Sequence, residues 1–303
     1  MTATPATWLS GYIPDIPTPF DATGAIDLRA FQRLCERQVE AGVTAIVVCE
    51  TAGEASTLSP AEQGRLIRAA AEVTRGHARI IAGAGSNSTQ QAIELTRCAD
   101  AAGADAVLSV VPYYNKPMQA GIEAHFLAIA DATELPIILH DIPARTIREL
   151  ADATLARLAQ SGQFIGLKDG TGDVTRVARL RPLLPAGFRL MSGDDASALA
   201  FMANGGDGCI SMISNVAPRL CSTIFSSCRH DNWQAARALH NRLAPLEAVL
   251  SRDGAPALKA ALSGLGLMRP DLRLPLVAPD SATAREIARA AASIGEPELA
   301  HAS

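Results

Sequence analysis

The chain alternates short β-branched runs with longer helical patterns, and this alternation occurs eight times. The first strand lies in GYIPDIP, and the helix after it shows Phe31, Leu34, Cys35 and Val39 at helical spacing. Seven further strands are predicted at 45–49, 79–83, 106–111, 137–141, 164–168, 188–193 and 208–212. Eight strand–helix units favour an α/β fold whose parallel strands close into a (β/α)₈ TIM barrel rather than an open sheet.

Helix caps and the region after the eighth strand complete this organisation. Ser59 lies three residues before Glu62, and Ser88 three residues before Gln91, which is the spacing of a helix N-terminal cap. After the eighth helix the chain continues with three more helical stretches. The predicted domains are a barrel that carries the active site, residues 1–228, and a C-terminal helical appendage, residues 229–303.

Composition limits the partners. Hydrophobic residues make up 48% of the chain but aromatic residues only 4%, so Ala, Val, Ile and Leu must fill most of the core. The formal net charge is −4 and no block of like charges occurs, which argues against nucleic acid and anionic membranes. We therefore expect a small-molecule substrate.

The N-terminal residues and the cysteines predict the compartment. The first 20 residues contain no basic region, and no window approaches the roughly 20 apolar residues of a membrane span. The six cysteines show no C-x-x-C spacing and lie mostly in apolar or helical runs, as reduced packing residues do. We expect a cytoplasmic protein.

Polar and charged residues cluster at the predicted strand ends. In a barrel of this kind the active site lies at the carboxyl ends of the strands, so these side chains would surround one mouth. They are Glu50, Thr51, Tyr113, Tyr114, His140, Lys168, Gly193, Asp194 and Ile210.

Lys168 ends the apolar run FIGLK, although lysine is rarely buried. Partial desolvation at the mouth would lower the pKa of its amine, and a neutral amine is the nucleophile that forms a Schiff base with a carbonyl compound. The alternative is a lysine that extends to solvent or pairs with the adjacent Asp169. Position alone does not separate these two interpretations.

Several groups near the mouth suit a carboxylate. Thr51, the backbone N–H groups around Ala52 and Gly53, and the guanidinium of Arg145 are all donors for a carboxylate. The acidic segment SGDDASAL after the seventh strand would repel a phosphate. These features favour a carboxylate substrate without phosphate.

His140, Tyr113 and Tyr114 could transfer protons, although a lone histidine is more often structural and loop tyrosines often pack or contact another subunit. No two of the six histidines fall at metal-ligand spacing with a carboxylate nearby. A metal-dependent aldolase is therefore disfavoured.

Three segments, AGAGSNSTQQAIELT, GADAVLSVVPYYNKPMQAGIEAHFLAIA and FIGLKDGTGD, resemble the dihydrodipicolinate synthase and N-acetylneuraminate lyase family of class I aldolases. The likeness covers roughly residues 11 to 280. It implies that Lys168 forms an imine with pyruvate and needs no other cofactor. The resulting enamine attacks an aldehyde, which in the synthases is aspartate semialdehyde, on the route to lysine and diaminopimelate. It also implies a homotetramer of two dimers in which Tyr114 reaches across the dimer interface.

Two segments depart from the family pattern. The family's GTTGE loop matches Glu50-Thr51-Ala52-Gly53-Glu54, which keeps Thr51 as the relay hydroxyl but replaces the second threonine, which helps to hold the pyruvate carboxylate, with Ala52. The family's LYNVPSRTG matches LHDIPARTI, so His140 replaces a tyrosine that relays protons and contacts pyruvate. Imidazole also transfers protons near neutral pH.

The resemblance assigns further positions. Arg145 matches the arginine that meets the aldehyde's carboxylate, and Gly193 and Ile210 match positions that line the pyruvate pocket. Where lysine-inhibited members carry a glutamate and a histidine, this chain has Gln91 and Gln63, which predicts weak or absent lysine feedback.

Three functions remain open from the sequence. The first is the condensation of pyruvate with aspartate semialdehyde to 4-hydroxy-tetrahydrodipicolinate. The second is a related keto-acid lyase, such as a 2-keto-3-deoxy-sugar-acid aldolase or dehydratase. The third is a catalytically reduced paralogue that only binds keto acids.

Overall fold

Eight parallel strands form one barrel in the computed structural model, which describes residues 6–295. The strands are β1 (Gly11–Pro14), β2 (Ala45–Val48), β3 (Arg79–Gly83), β4 (Ala106–Val110), β5 (Ile137–Asp141), β6 (Phe164–Asp169), β7 (Arg189–Ser192) and β8 (Gly208–Ser211). Consecutive strands pair from β2 to β8, and β8 pairs with β1. A bridge between Asp15 and Val47 joins the β1 and β2 edges, and the Ile16 N–H donates to the Val47 carbonyl at 2.9 Å. The predicted (β/α)₈ barrel is confirmed.

Helices surround this barrel and extend beyond it. Those within the barrel units are α1 (Leu28–Glu40), α2 (Pro60–Thr74), α3 (Thr89–Ala101), α4 (Gln119–Ala130), α5 (Pro143–Thr146), α6 (Asp152–Leu158), α7 (Arg176–Leu180), α8 (Ala198–Ala203) and α9 (Pro218–Arg229). Three more helices, α10 (Trp233–Asp253), α11 (Ala255–Gly264) and α12 (Ser281–Ile294), confirm the predicted appendage. Within residues 6–295, no helix has both the length and the apolar character needed to cross a membrane.

The two predicted helix caps are present, with one difference. Ser59 caps α2 by accepting from the Glu62 N–H, and the Glu62 carboxylate accepts from the Ser59 N–H in return, which satisfies two free donors. Ser88 caps α3 in the same way through the Gln91 N–H. The Gln91 side chain instead accepts a hydrogen bond from the Ser86 hydroxyl at 2.7 Å, so this cap is not reciprocal.

Two hydrophobic cores hold the molecule together. The larger lies between the barrel and its helices, and the smaller fills the barrel. Members of the inner core are mainly aliphatic and include Leu9, Ile13, Val47, Ile81, Leu108, Ile138, Met191 and Ile210. Gly166 makes room for the N-terminal segment, since a Cβ there would lie 2.8 Å from Leu9 Cδ2. This inner core is the packed interior that a TIM barrel requires.

The cysteines are free thiols, and all except Cys98 are buried. Burial raises the pKa of the Cys209 thiol well above its usual value. A buried neutral thiol packs as a small hydrophobic residue, as the sequence predicted.

Candidate active site

Lys168 lies next to last in β6, between His140 of β5 and Met191 of β7 in the sheet register. The residue is only 4% exposed, although it stands at the carboxyl end of the strand. Gly193, just after β7, leaves space for it, because a Cβ at that position would lie 3.1 Å from Lys168 Cγ. The strand therefore presents a buried amine at the end of the barrel where TIM-barrel active sites lie.

Two carboxylates and an imidazole surround this amine. Lys168 Nζ lies 3.1 Å from Glu50 Oε2 and 3.8 Å from Asp15 Oδ2. The other oxygen of Glu50 lies 2.9 Å from His140 Nδ1. Glu50 therefore connects the amine to the imidazole, while Asp15 approaches the amine from the end of β1.

Each charge in this cluster shifts the pKa values of its neighbours. Burial by itself would lower the pKa of Lys168, but Glu50 and Asp15 outweigh burial and raise it above the usual lysine value. Lys168 and His140 likewise outweigh burial at Glu50 and hold its pKa well below the usual range. Burial and the Glu50 charge raise the pKa of Asp15, and burial and Lys168 lower that of His140. The lowered lysine pKa expected from desolvation is therefore wrong, and the resting amine is an ammonium.

The loop after β2 already uses the backbone donors that were predicted to bind a substrate carboxylate. The Thr51 N–H donates to Glu50, and the Ala52 N–H donates to Asp15 Oδ2 at 3.2 Å. Both amides face carboxylates of this same chain. A substrate carboxylate must therefore replace these contacts in order to use the same donors.

Residues of the C-terminal appendage contact the loop after β2 and fix its position. Glu54 adopts a left-handed backbone with a φ of 54°, and its buried carboxylate forms an ion pair with Lys259 of α11. The Arg273 N–H donates to the other Glu54 oxygen at 3.1 Å, and the Gly53 carbonyl accepts from the Thr18 hydroxyl at 2.7 Å. These contacts hold the segment that carries Glu50.

Asp169 does not pair with Lys168. Its carboxylate lies 3.4 Å from Arg176 Nη1, and the same guanidinium nitrogen lies 2.7 Å from Asp141. Asp141 and Asp169 directly follow His140 and Lys168 in their strands. Arg176 therefore ties together the ends of β5 and β6, and the structure contradicts the Lys168–Asp169 pair considered from the sequence.

A cavity of about 530 Å³ opens beside the cluster. Glu50, Thr51, Tyr113, His140 and Arg145 are among the residues that line it, and Lys168 is not. The guanidinium of Arg145 makes no hydrogen bond or ion pair with any residue from 6 to 295. The cavity thus offers a free cation at its exposed side and the Glu50–His140 pair at its inner side.

Two other predicted site residues have different surroundings. Ile210 of β8 is 2% exposed and packs in the inner core with Ile13 and Met191. Tyr114 is 84% exposed, with a left-handed φ of 72°. The structure thus brings Lys168, Thr51, Ala52, His140 and Gly193 together, whereas Tyr114 stands at the surface of the single chain.

Sequence reasoning missed Asp15. The pattern GYIPDIP predicts the first strand and no more, yet an aspartate between Ile13 and Ile16 is an unusual residue for a buried strand end. Asp15 is 1% exposed, and its Oδ1 has no hydrogen-bond partner among residues 6–295. An acidic residue inside an apolar strand was the available signal for a charged partner at the mouth.

Comparison with known proteins gives a consistent result. A profile described as the Dihydrodipicolinate synthetase family matches residues 8–294. The 4-hydroxy-tetrahydrodipicolinate synthase of Hyphomonas neptunium is 46% identical over 288 residues, covering 94% of this chain and 98% of that protein. The enzyme of the same name from Thiobacillus denitrificans is 47% identical over 282 residues, covering 93% and 95%. The crystal structure of chloride-inhibited dihydrodipicolinate synthase from Acinetobacter baumannii with pyruvate has a TM-score of 0.91 and 40% identity, covering 95% of this chain and 99% of that one.

Proposed function

The chain belongs to the dihydrodipicolinate synthetase family, and on that premise we propose that it is a Schiff-base lyase acting on pyruvate. Its second substrate is L-aspartate 4-semialdehyde and its product is 4-hydroxy-tetrahydrodipicolinate, on the route to lysine and diaminopimelate. The observation that carries the proposal is Lys168, a buried amine at the carboxyl end of β6 next to a cavity. A lysine so placed is the nucleophile that such chemistry requires.

The reaction begins at Lys168 Nζ. The deprotonated amine adds to the ketone carbon of pyruvate, and loss of water gives an imine. Loss of a methyl proton converts the imine into an enamine, whose terminal carbon attacks the aldehyde. The covalent imine is the electron sink, so the proposed reaction uses no separate cofactor.

Proton transfers in this reaction fall to Thr51, His140 and Tyr114. Thr51 and His140 line the same cavity, and His140 is joined to Lys168 through Glu50. These contacts support roles near the reacting atoms. A histidine whose pKa is lowered by burial and by Lys168 rests as neutral imidazole, which can accept a proton at one ring nitrogen and donate one from the other.

The exposed position of Tyr114 supports an assembled enzyme. Tyr114 is 84% exposed, Met118 80% and Tyr113 38%, and all three belong to the segment between β4 and α4. We assign this surface to a dimer interface across which Tyr114 enters the neighbouring protomer's site. Two such dimers then form a homotetramer. The molar mass in solution tests this assignment, since a monomer with full activity would contradict it.

Substrate binding is assigned to four further residues. The Ala52 N–H donates to the pyruvate carboxylate after its hydrogen bond to Asp15 has broken. Gly193 and Ile210 line the pocket around the imine. Arg145 binds the carboxylate of the aldehyde, because its guanidinium faces the cavity without a partner in the described chain. A free guanidinium forms strong bidentate pairs with carboxylates.

A second candidate is a related keto-acid lyase, such as an aldolase or dehydratase that acts on a 2-keto-3-deoxy-sugar acid. The observation that favours it is the pair of carboxylates, Glu50 and Asp15, on the Thr51 and Ala52 amides. Negative charge there changes the binding of any acidic substrate. A third possibility is a paralogue that has the same barrel and binds keto acids but does not convert them.

The test is a product assay with the purified enzyme. Pyruvate is offered with L-aspartate 4-semialdehyde, and in parallel with unbranched and sugar-derived aldehydes, and the products are followed by NMR. We expect rapid formation of 4-hydroxy-tetrahydrodipicolinate with the semialdehyde. Faster turnover of a sugar-derived aldehyde would establish the second candidate, and no turnover of any acceptor would establish the binding protein.

A further inference from the structure

Glu50 has no task in the reaction as proposed so far. Its carboxylate lies between two groups that the reaction needs, with Oε2 3.1 Å from Lys168 Nζ and Oε1 2.9 Å from His140 Nδ1. The side chain is 11% exposed and lines the cavity. A partly buried carboxylate in contact with a nucleophilic amine is well placed to exchange protons with it.

Imine formation from this resting state requires a base. The ion pairs keep Lys168 as an ammonium, which has no lone pair for attack on a carbonyl carbon. Lys168 is buried and does not line the cavity, whereas Glu50 does. Glu50 contacts the amine and also lines the cavity, so it can carry the proton from one to the other.

We propose that Glu50 is a catalytic residue that carries protons from Lys168 Nζ to the oxygen of the substrate carbonyl. The inference rests on the proposed function, because it assigns a residue to the first step of that reaction. Contact with the Thr51 N–H and with His140 keeps the carboxylate ionised and aimed at the amine.

The protons balance over two transfers. Glu50 takes one proton from the ammonium, the amine adds to the ketone carbon, and the C=O π electrons move to oxygen, which takes that proton back from Glu50. Glu50 then takes a second proton from the carbinolamine nitrogen and delivers it to the hydroxyl group. The C–O bond breaks, water leaves, and the nitrogen lone pair forms the iminium. Glu50 ends as it began, a carboxylate.

Asp15 is the competing carboxylate, and the geometry favours Glu50. Asp15 lies farther from Lys168 Nζ, at 3.8 Å, and is not among the residues that line the cavity. One of its oxygens is engaged with the Ala52 N–H. Asp15 can stabilise the ammonium from this position, but it does not reach a substrate in the cavity.

The experiment compares the rate of pyruvate imine formation in the wild type, E50Q, E50D and D15N. Each protein is mixed with pyruvate, and the reaction is stopped with borohydride after increasing times. Intact-mass spectrometry then gives the fraction of protein that carries the reduced adduct. We expect E50Q to form the adduct roughly 100-fold more slowly, E50D to recover part of the rate, and D15N to slow much less than E50Q. Thermal melting of all four proteins verifies that each is folded.

A purely structural ion pair predicts the opposite sign. Removing the Glu50 charge lowers the pKa of Lys168 and so increases the fraction of free amine, which would leave E50Q as fast as the wild type or faster. That outcome would overturn the proposal, as would D15N slowing more than E50Q. Failure of the proposed function looks different, because wild type itself would then form no pyruvate adduct.

Discussion

Lys168 and Lys259 are both buried, and each forms an ion pair with a glutamate of the same short loop. Lys259 is fully enclosed: its ammonium contacts Glu54, the Asp271 carbonyl at 3.0 Å and the face of the Phe20 ring at 4.2 Å. Lys168, by contrast, lies within 4 Å of two carboxylates, and one of them, Glu50, lines a cavity.

Burial alone therefore does not identify a reactive lysine. A buried charge persists when every donor finds a partner, and Lys259 meets that requirement with a carboxylate, a carbonyl and an aromatic face. At Lys168, by contrast, the surrounding groups keep free atoms, since His140 Nε2 and Asp15 Oδ1 have no partner among residues 6–295. The unsatisfied nitrogen on His140, which lines the cavity, distinguishes the surroundings of Lys168 from those of Lys259.

The largest expected effect is at Lys168. Lys168→Met removes the only nucleophile of the proposed reaction, so borohydride reduction in the presence of pyruvate should give no adduct in intact-mass spectra. Stability should fall less than in a Lys259 variant, because Glu50 keeps its contacts with His140 and the Thr51 N–H. An adduct that persisted in Lys168→Met would show that another residue is the nucleophile.

Lys259→Met should act on stability instead. It leaves the buried Glu54 carboxylate without its ion pair, and we expect the free energy of unfolding in urea to fall by about 3–5 kcal/mol. The double variant Glu54→Gln with Lys259→Met should recover part of that loss. Folded Lys259→Met should still form the pyruvate adduct on Lys168. Loss of the adduct in a folded sample would mean that the two lysines are not functionally separate.

Phe20→Leu should destabilise the surroundings of Lys259 less than Lys259→Met does. The Phe20 ring lies under both Lys259 and Arg273, at 4.2 and 4.4 Å. Losing these contacts and part of a buried ring should lower the free energy of unfolding by about 1–3 kcal/mol. The rate of adduct formation should not change, and a slowed rate would show that the appendage controls the site as well as supporting it.

The smallest effect concerns acid stability at Glu50. Because the folded-state pKa of Glu50 lies below its usual value, its ionisation stabilises the fold above about pH 4.3, and this contribution is lost as the pH falls through the folded-state pKa. E50Q cannot titrate at this position. The difference in unfolding free energy, wild type minus E50Q, should therefore decrease between about pH 5 and pH 2. Denaturant unfolding at several pH values measures it, and a constant difference would contradict the ion pair.

Local patterns were enough to predict the barrel. The β-branched runs and the helical periodicity between them located all eight strands. Seven of the predicted strands end within one residue of the observed bounds, whereas the first predicted run extends past the observed Gly11–Pro14. Lys168 was found because a charged residue at the end of an apolar strand is visible in the sequence alone. The Ser59 cap was found because its partner Glu62 is only three residues away.

Contacts between distant parts of the chain could not be predicted in the same way. Glu50 and Lys168 are 118 positions apart, and whether they touch depends on the register of separate strands and on the loop conformation. The sign of the Lys168 pKa shift followed from those contacts, since burial and carboxylates act in opposite directions. The helical pattern around Lys259 does not predict an ion pair, because its partner Glu54 lies far away in the sequence, in the loop after β2.

The role of Lys168 as the nucleophile can be tested directly, because the chain contains only three lysines, Lys116, Lys168 and Lys259. The protein is incubated with pyruvate, reduced with borohydride, digested, and the mass of each lysine-containing peptide is recorded. We expect a single pyruvate adduct, on the peptide with Lys168, and no modification of the peptides with Lys116 and Lys259. An adduct on Lys259 or Lys116, or none at all while a known synthase is trapped in parallel, would contradict this expectation.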